Sequence, residues 1–286
     1  MSKILILGAN STSGKALVNY LKQFDDELFF CDFTDSYSDT LSKNWFKTDI
    51  SSFENIYKVL KIVFPDQIYN FAGSFTNNYD IDYKANVFIT KNIFDSLQNL
   101  NHNARVLLIG SSAEYGIIDE KDNPVNENQP LNPASVYGLT KVYQTNLMKY
   151  YYNTYNSNVV MARTFNLLGM NMNEKLFIGK LYKLIDEFKK GIIDKITLGN
   201  IDNKRDYLKI DQAVVLYHKI INYGKTGEIY NVGSGNSIRI CDLLESILIE
   251  NGLDMNIVKI EKYSNKYDIK DIYSDNSKLN YIIDNT

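Results

Sequence analysis

Two kinds of apolar pattern alternate along the first half of the chain. One is a short, nearly unbroken apolar run, as in "KILILG" (Lys3–Gly8), "ELFFCD" (Glu27–Asp32), "NWFKTD" (Asn44–Asp49), "QIYNFAG" (Gln67–Gly73), "RVLLIGSS" (Arg105–Ser112) and "NVVMART" (Asn158–Thr164). Such runs have the length of strands buried on both faces and are too short to cross a membrane. The other recurs every three or four residues and predicts helices. These helices run from Gly14 to near Leu21, through "SSFENIYKVLKIVF" with Phe53, Ile56, Val59, Leu60 and Val63 on one face, through "YKANVFITKNIFDSLQ", and from Ser135 to Tyr152. Pro65 stops the second of them. Repeated strand–helix units of this kind predict an α/β fold, a Rossmann-like doubly wound parallel sheet with helices on both faces. After Phe165 the rhythm changes. Longer helical pieces, Lys175–Lys190 and Ile240–Glu250, mix with short strands. The expected division is 1–164 for a dinucleotide-binding domain and 165–286 for a smaller, mixed α/β substrate-binding domain partly interleaved with it.

Chemistry-bearing residues gather where these strands end. "GANSTSG" (Gly8–Gly14) joins the first strand to the first helix. Small residues there let a pyrophosphate approach backbone N–H groups at a helix N-terminus, so Gly8, Asn10, Ser11, Thr12, Ser13 and Gly14 are candidate dinucleotide contacts. Ser11 stands in the middle position of a glycine-spaced motif. Asp32 ends the second strand, where a carboxylate can accept hydrogen bonds from the adenosine ribose and repel a 2′-phosphate. That favours NAD(H), with NADP(H) the second choice. "YGLTK" places Tyr137 and Lys141 on one helix face, four residues apart. A free tyrosine titrates near about pH 10 and is a poor proton-transfer group. A neighbouring ammonium is expected to lower that value. In a chain with 22 tyrosines a surface Tyr–Lys pair is the competing reading. Ser111 and Ser112 close the fifth strand, where a simple turn is the alternative.

Composition adds exclusions. The 286 residues are 44% hydrophobic and carry a net charge of −3, with no basic excess to mark a nucleic-acid binder. The N-terminus enters a strand directly, without a signal-peptide layout. Cys31 and Cys241 lack metal-type spacing, and with two histidines they give no zinc site. A reducing cytoplasm is the expected compartment, with no membrane partner.

The ordered set of motifs resembles the extended short-chain dehydrogenase/reductase family, in its nucleotide-sugar branch, over nearly the whole chain. "TDISS" resembles the family's adenine-contacting segment, here Asp49 and Ile50. "FAG" (Phe71, Ala72, Gly73) resembles the strand end beside the cofactor, and Asn86 the usual helix asparagine. "GSSAEYG" resembles the serine motif, and Tyr137 with Lys141 the Y-x-x-x-K pair. "ARTFNLLG", "LGNIDNKRDYLKIDQ" and "GEIYNVGSG" resemble later family segments.

The resemblance implies hydride transfer at a sugar carbon, with Tyr137 moving the proton, Lys141 holding the nicotinamide ribose and Ser111 orienting the sugar oxygen. Asn166 and Arg205 would meet the nucleotide-sugar substrate, with Ser112, Glu114 and Lys180 beside it. Asn265 stands where another nucleotide-binding arginine is usual. Dehydratases of the branch carry an acid two residues after the serine or threonine. Here that place holds Ala113, and Glu114 comes one later, facing the other way if the strand continues. The pattern is most similar to GDP-4-keto-6-deoxymannose or GDP-4-keto-heptose reductases. A 4-epimerase or 4,6-dehydratase with bound NAD, and a non-catalytic dinucleotide sensor, are the alternatives. The resemblance also implies a homodimer.

Overall fold

The computed structural model describes residues 1–261 and 269–285. In chain order the first half holds β1 (Lys3–Leu7), α1 (Thr12–Leu21), β2 (Glu27–Asp32), β3 (Trp45–Lys47), α2 (Phe53–Val63), β4 (Gln67–Asn70), α3 (Tyr79–Tyr83), α4 (Ile89–Asn99), β5 (Arg105–Ser111), α5 (Val136–Tyr155) and β6 (Val159–Thr164). The second half holds β7 (Asn166–Leu168), α6 (Phe177–Lys189), β8 (Ile196–Leu198), β9 (Lys204–Lys209), α7 (Ile210–Tyr223), β10 (Ile229–Val232), β11 (Ser237–Arg239), α8 (Ile240–Glu250), β12 (Val258–Ile260), β13 (Asp271–Ile272) and α9 (Ser277–Asp284).

A seven-stranded sheet runs in the order β10-β6-β5-β4-β1-β2-β3, every neighbouring pair parallel. The unbroken apolar runs are explained by a core on each side. Ile4 and Ile6 of β1 face a cluster with Leu17 and Val18 of α1 and Val214 and Tyr217 of α7. Leu5 and Leu7 face the opposite cluster with Ile56 and Leu60 of α2, Ile93 and Phe94 of α4 and Met148 of α5. A strand so placed cannot alternate apolar with polar residues, because both of its faces are dry. Burying each aliphatic side chain contributes about 1.5–3 kcal/mol. β10 and α7, both beyond residue 164, belong to this large sheet and its cover.

The second layer is smaller. β9 pairs with β11, β13 and β7, and β8 pairs with β12. Ile178, Leu181 and Ile185 of α6 pack with Leu243, Leu244, Ile247 and Leu248 of α8 under these strands. Asp206 of β9 is its polar hub. The fully buried carboxylate accepts the N–H and hydroxyl of both Ser234 and Ser274, and the Gly235 N–H.

Besides small shifts at element ends, such as β3 at Trp45–Lys47, three local turns depart from the sequence expectation. The fourth strand stops at Asn70, because the Asn70 side chain accepts the Ala72 N–H and turns the chain. The continuous helix expected from Tyr83 is interrupted by a π-helical turn over Lys84–Phe88. The fifth strand ends at Ser111, whose side chain caps a 3₁₀ turn at Ser112–Glu114.

Candidate active site

Because the large sheet is parallel and its strands are in register, the ends of β1, β2, β4 and β5 lie along one edge. Gly8 leaves β1 with a left-handed φ of 74°, and a Cβ there would lie 2.6 Å from the Ala72 backbone nitrogen. Only glycine permits this close approach of the two strand ends. Ser11 caps α1 by accepting the Gly14 N–H at 3.0 Å. The serine in the middle position of the motif is therefore used within the loop. The Thr12 hydroxyl donates to the Asn171 carbonyl at 3.0 Å. Asp32 is buried at the end of β2. It accepts the Asn10 N–H at 3.0 Å, and the N–H and hydroxyl of Thr34. The Asn10 side-chain oxygen is a buried acceptor without a partner. A helix N-terminus, a carboxylate at the second strand and an unpartnered amide oxygen fit a ribose and pyrophosphate. Asp49 lies further along, exposed and 3.4 Å from Lys84, its carboxyl held below the ordinary range chiefly by the Ser51 hydroxyl. Ile50 beside it is buried.

The middle of the same edge gathers the proton-transfer candidates. Ser135 caps α5 through the Gly138 N–H. Tyr137 follows in the first turn, and Lys141 comes one turn later. Ser111 ends β5 close enough to the Tyr137 phenol for its hydroxyl to favour the ionised form. The Lys141 ammonium donates to the Ile109 carbonyl at 2.8 Å and to Gln144 at 3.0 Å. It stands 5.9 Å from the centre of the Tyr137 ring. A Cβ on Gly73 would lie 3.8 Å from that ammonium and 2.7 Å from the Asn86 side-chain oxygen. The exposed backbone at Gly73, following Phe71 and Ala72, thus forms the wall opposite Lys141. Asn86 ties this wall to α5. It bonds the Ser74 N–H and carbonyl, and donates to the Thr140 hydroxyl at 2.9 Å. These non-local bonds hold Asn86 in the π turn.

Titration behaviour corrects one expectation. Lys141 was expected to lower the Tyr137 pKa. Burial instead pushes Tyr137 up to about 12; the nearby Ser111 hydroxyl opposes this, and Glu114 and Asp82 add to it. Burial brings Lys141 down to about 8, against the pull of Glu114 and Asp82. The ammonium is turned toward Ile109 and Gln144, so its charge is spent on those acceptors. Tyr137 is a phenol at neutral pH.

Glu114 also departs from its expected place beside the substrate. It is 0% exposed, and Arg163, its partner at 2.9 Å, is 1% exposed. The carboxylate also accepts the Ser111 N–H at 2.9 Å and the Thr145 hydroxyl at 2.6 Å. The 3₁₀ turn rotates it into the interior beneath Ser111, so it supports the serine from below. Ser112 is half-buried in the same turn.

The remaining candidates occupy the second layer. Asn166 opens β7, with Phe165 between it and the end of β6, and donates to the Asp206 carbonyl at 3.0 Å. Arg205, on the strand that pairs with β7, donates to the carbonyls of Lys204 and Ile269. Lys180 is exposed on α6. Asn265 lies outside the described residues. Residues missed in the sequence include Asp82, Asn77, Gln144 and Arg163. Asn77, Gln144 and Arg163 each bond a partner distant in sequence, and Asp82 bonds residues 5–8 positions before it, in no pattern that a local motif marks. Among the described residues no group of three or more His, Cys, Asp or Glu side chains could hold a metal ion, and no helix is long and apolar enough to cross a membrane.

Fold and strand-end chemistry together describe a dinucleotide-dependent enzyme class, and comparison with known proteins narrows it. The family model for GDP-mannose 4,6 dehydratase matches residues 16–284, and the chain belongs to that family. GDP-6-deoxy-D-mannose reductase of Pseudomonas aeruginosa is 26% identical over 62% of the chain; the match spans 58% of the reductase, less than two thirds of its length. GDP-6-deoxy-D-talose 4-dehydrogenase of Aggregatibacter actinomycetemcomitans is 25% identical over 99% of the chain and 92% of its own. In fold, the chain resembles RMD from Pseudomonas aeruginosa, solved with NADPH, at a TM-score of 0.84 and 20% identity over 99% of this chain and 92% of that one. It likewise resembles dTDP-glucose 4,6-dehydratase from Bacillus anthracis, solved with NAD, at a TM-score of 0.86 and 20% identity over 99% and 91% of the two chains.

Proposed function

We propose that the protein reduces the 4-keto group of a nucleotide-linked sugar, with GDP as the carrier and NADH preferred to NADPH. The observation that carries this reading is the convergence of Ser111, Tyr137 and Lys141 beside Gly73 at the carboxyl edge of the sheet. When bound, the nicotinamide supplies the hydride. Tyr137, protonated at neutral pH, donates a proton from its phenolic oxygen to the oxygen that was the ketone. A phenol raised to about 12 suits the acid role that ketone reduction requires. Ser111 donates a hydrogen bond to the same sugar oxygen and aligns it with the phenol. Lys141, freed from Ile109 and Gln144, reaches the ribose hydroxyls next to Gly73. Gly8–Gly14 and Asp32 bind the adenosine end. Asn166 and Arg205 meet the nucleotide of the sugar donor, with Ser112 near the sugar and Lys180 at the rim.

The burial of Glu114 in an ion pair weighs against a 4,6-dehydratase that would use it as an acid or base. The names of the two GDP-sugar relatives support the carrier and the oxidoreductase chemistry. We further propose a cytoplasmic homodimer that works in surface-polysaccharide assembly. The test is turnover of NADH and of NADPH with enzymatically prepared GDP-, dTDP- and UDP-4-keto sugars. Fastest oxidation of NADH with a GDP-4-keto sugar is expected. Absence of turnover with every 4-keto sugar would refute the proposal and favour a silent sensor or an epimerase.

A further inference from the structure

Asp82 lies outside every motif used so far, yet it is a fully buried carboxylate close to the proton donor. It projects from α3 into the loop that follows Gly73. One oxygen accepts the Ser74 hydroxyl and the N–H and hydroxyl of Thr76, each at 2.8 Å; the other accepts the Asn77 N–H at 2.8 Å. Four bonds to one carboxylate fold the loop around it. Asn77 is thereby held at a left-handed φ of 58°, and its side-chain oxygen accepts the Tyr137 backbone N–H at 3.2 Å. Phe75 of the same loop meets the Tyr137 ring edge-to-face at 6.2 Å.

We infer that Asp82 is a positioning residue for the proposed proton donor: it clamps the 74–77 loop onto the start of α5 and supplies a fixed negative charge beside Tyr137 and Lys141. The inference rests on the reductase reading for its kinetic consequence, but its structural consequence does not depend on any substrate. The charged and titratable groups around Tyr137 are Asp82 from α3, Glu114 from the turn after β5, Lys141 on α5 and Tyr217 on α7. Of the two carboxylates, Glu114 is neutralised by Arg163 at 2.9 Å, whereas Asp82 is bonded by neutral donors. Burial works to raise the Asp82 pKa, but these bonds outweigh it and keep the carboxyl below its ordinary value. The charge therefore persists through neutral pH. It favours the protonated forms of both Tyr137 and Lys141.

The test is Asp82→Asn, read in two ways. Hydrogen-exchange mass spectrometry needs no substrate and should show faster exchange over residues 74–78 and at the start of α5. In the pH–rate profile of ketone reduction, kcat should fall about 10–100-fold, as for a reacting group displaced by a fraction of an ångström to an ångström, while cofactor affinity holds. The alkaline limb should move to lower pH, because losing a nearby negative charge makes the phenolate easier to form. Asn77→Gly keeps the charge and removes the cap on Tyr137. It should speed exchange there and slow turnover with the alkaline limb unmoved, and it carries the test should Asp82→Asn fail to fold. Wild-type exchange in Asp82→Asn, or slower turnover with its alkaline limb unmoved, would overturn the assignment. So would a wild-type rate in Asn77→Gly. If the wild-type protein turns over no 4-keto sugar, the reductase reading fails while the exchange result still judges the clamp.

Discussion

Desolvation makes the Tyr137 phenol hold its proton, with two carboxylates adding to the effect and the Ser111 hydroxyl opposing it. Tyr137→Phe removes the proton and keeps the ring contact with Phe75. Ketone reduction should fall on the order of 10²–10⁴-fold, the range for a lost general acid, with cofactor affinity little changed. A variant with full activity in steady-state assays would remove Tyr137 from the mechanism. Asp32 poses a different question, since its oxygens already accept bonds from Asn10 and Thr34. Those bonds point the carboxylate and leave its charge in place. Asp32→Ala should narrow or reverse the preference for NADH over NADPH, measured as the two dissociation constants by fluorescence titration. A wild-type protein that binds NADPH more tightly would contradict the role given to this carboxylate.

At the scale of elements, the pattern of apolar residues foretold the parallel strands well, because burial on both faces leaves a signal within five or six consecutive positions. Ser111, Tyr137 and Lys141 were legible for a similar reason: each sits at a strand end or a fixed helical spacing. The breaks in regularity were not. The π turn at Lys84–Phe88 exists because Asn86 bonds Ser74 and Thr140, the latter 54 residues away. Glu114 looked like a strand residue near the substrate, but a 3₁₀ turn and a distant arginine take it inside. That pair predicts its own cost. Arg163→Met leaves Glu114 charged and without its counter-ion, and unfolding in urea should show a loss of about 3–5 kcal/mol. Arg163→Met combined with Glu114→Leu should recover much of it. A single variant as stable as wild type would mean that the ion pair does not hold the turn beneath Ser111.

For the whole molecule, most of the apolar surface of α4 and α5 is used internally, with Ile93, Phe94, Met148 and Tyr151 buried against the parent sheet. Phe88 beside α4 remains exposed, as do Tyr150 and Tyr155 on α5, whose rings meet edge-to-face at 5.8 Å. Scattered exposed apolar residues are ordinary, but contiguous ones mark contact surfaces. The proposed homodimer should therefore appear as a doubled mass in analytical ultracentrifugation at micromolar concentration, and Tyr150→Lys should shift it toward the monomer. A strictly monomeric wild-type protein would refute it.

One hydroxyl joins the two layers at the point where α1 begins. Thr12 opens that helix, and the carbonyl it holds belongs to Asn171, in the segment between β7 and α6. The seam between the layers is thus fastened from inside the dinucleotide cradle. A group that recruited the Thr12 hydroxyl would release the Asn171 carbonyl, so filling the cradle and freeing the segment that leads out of β7 draw on the same hydrogen bond.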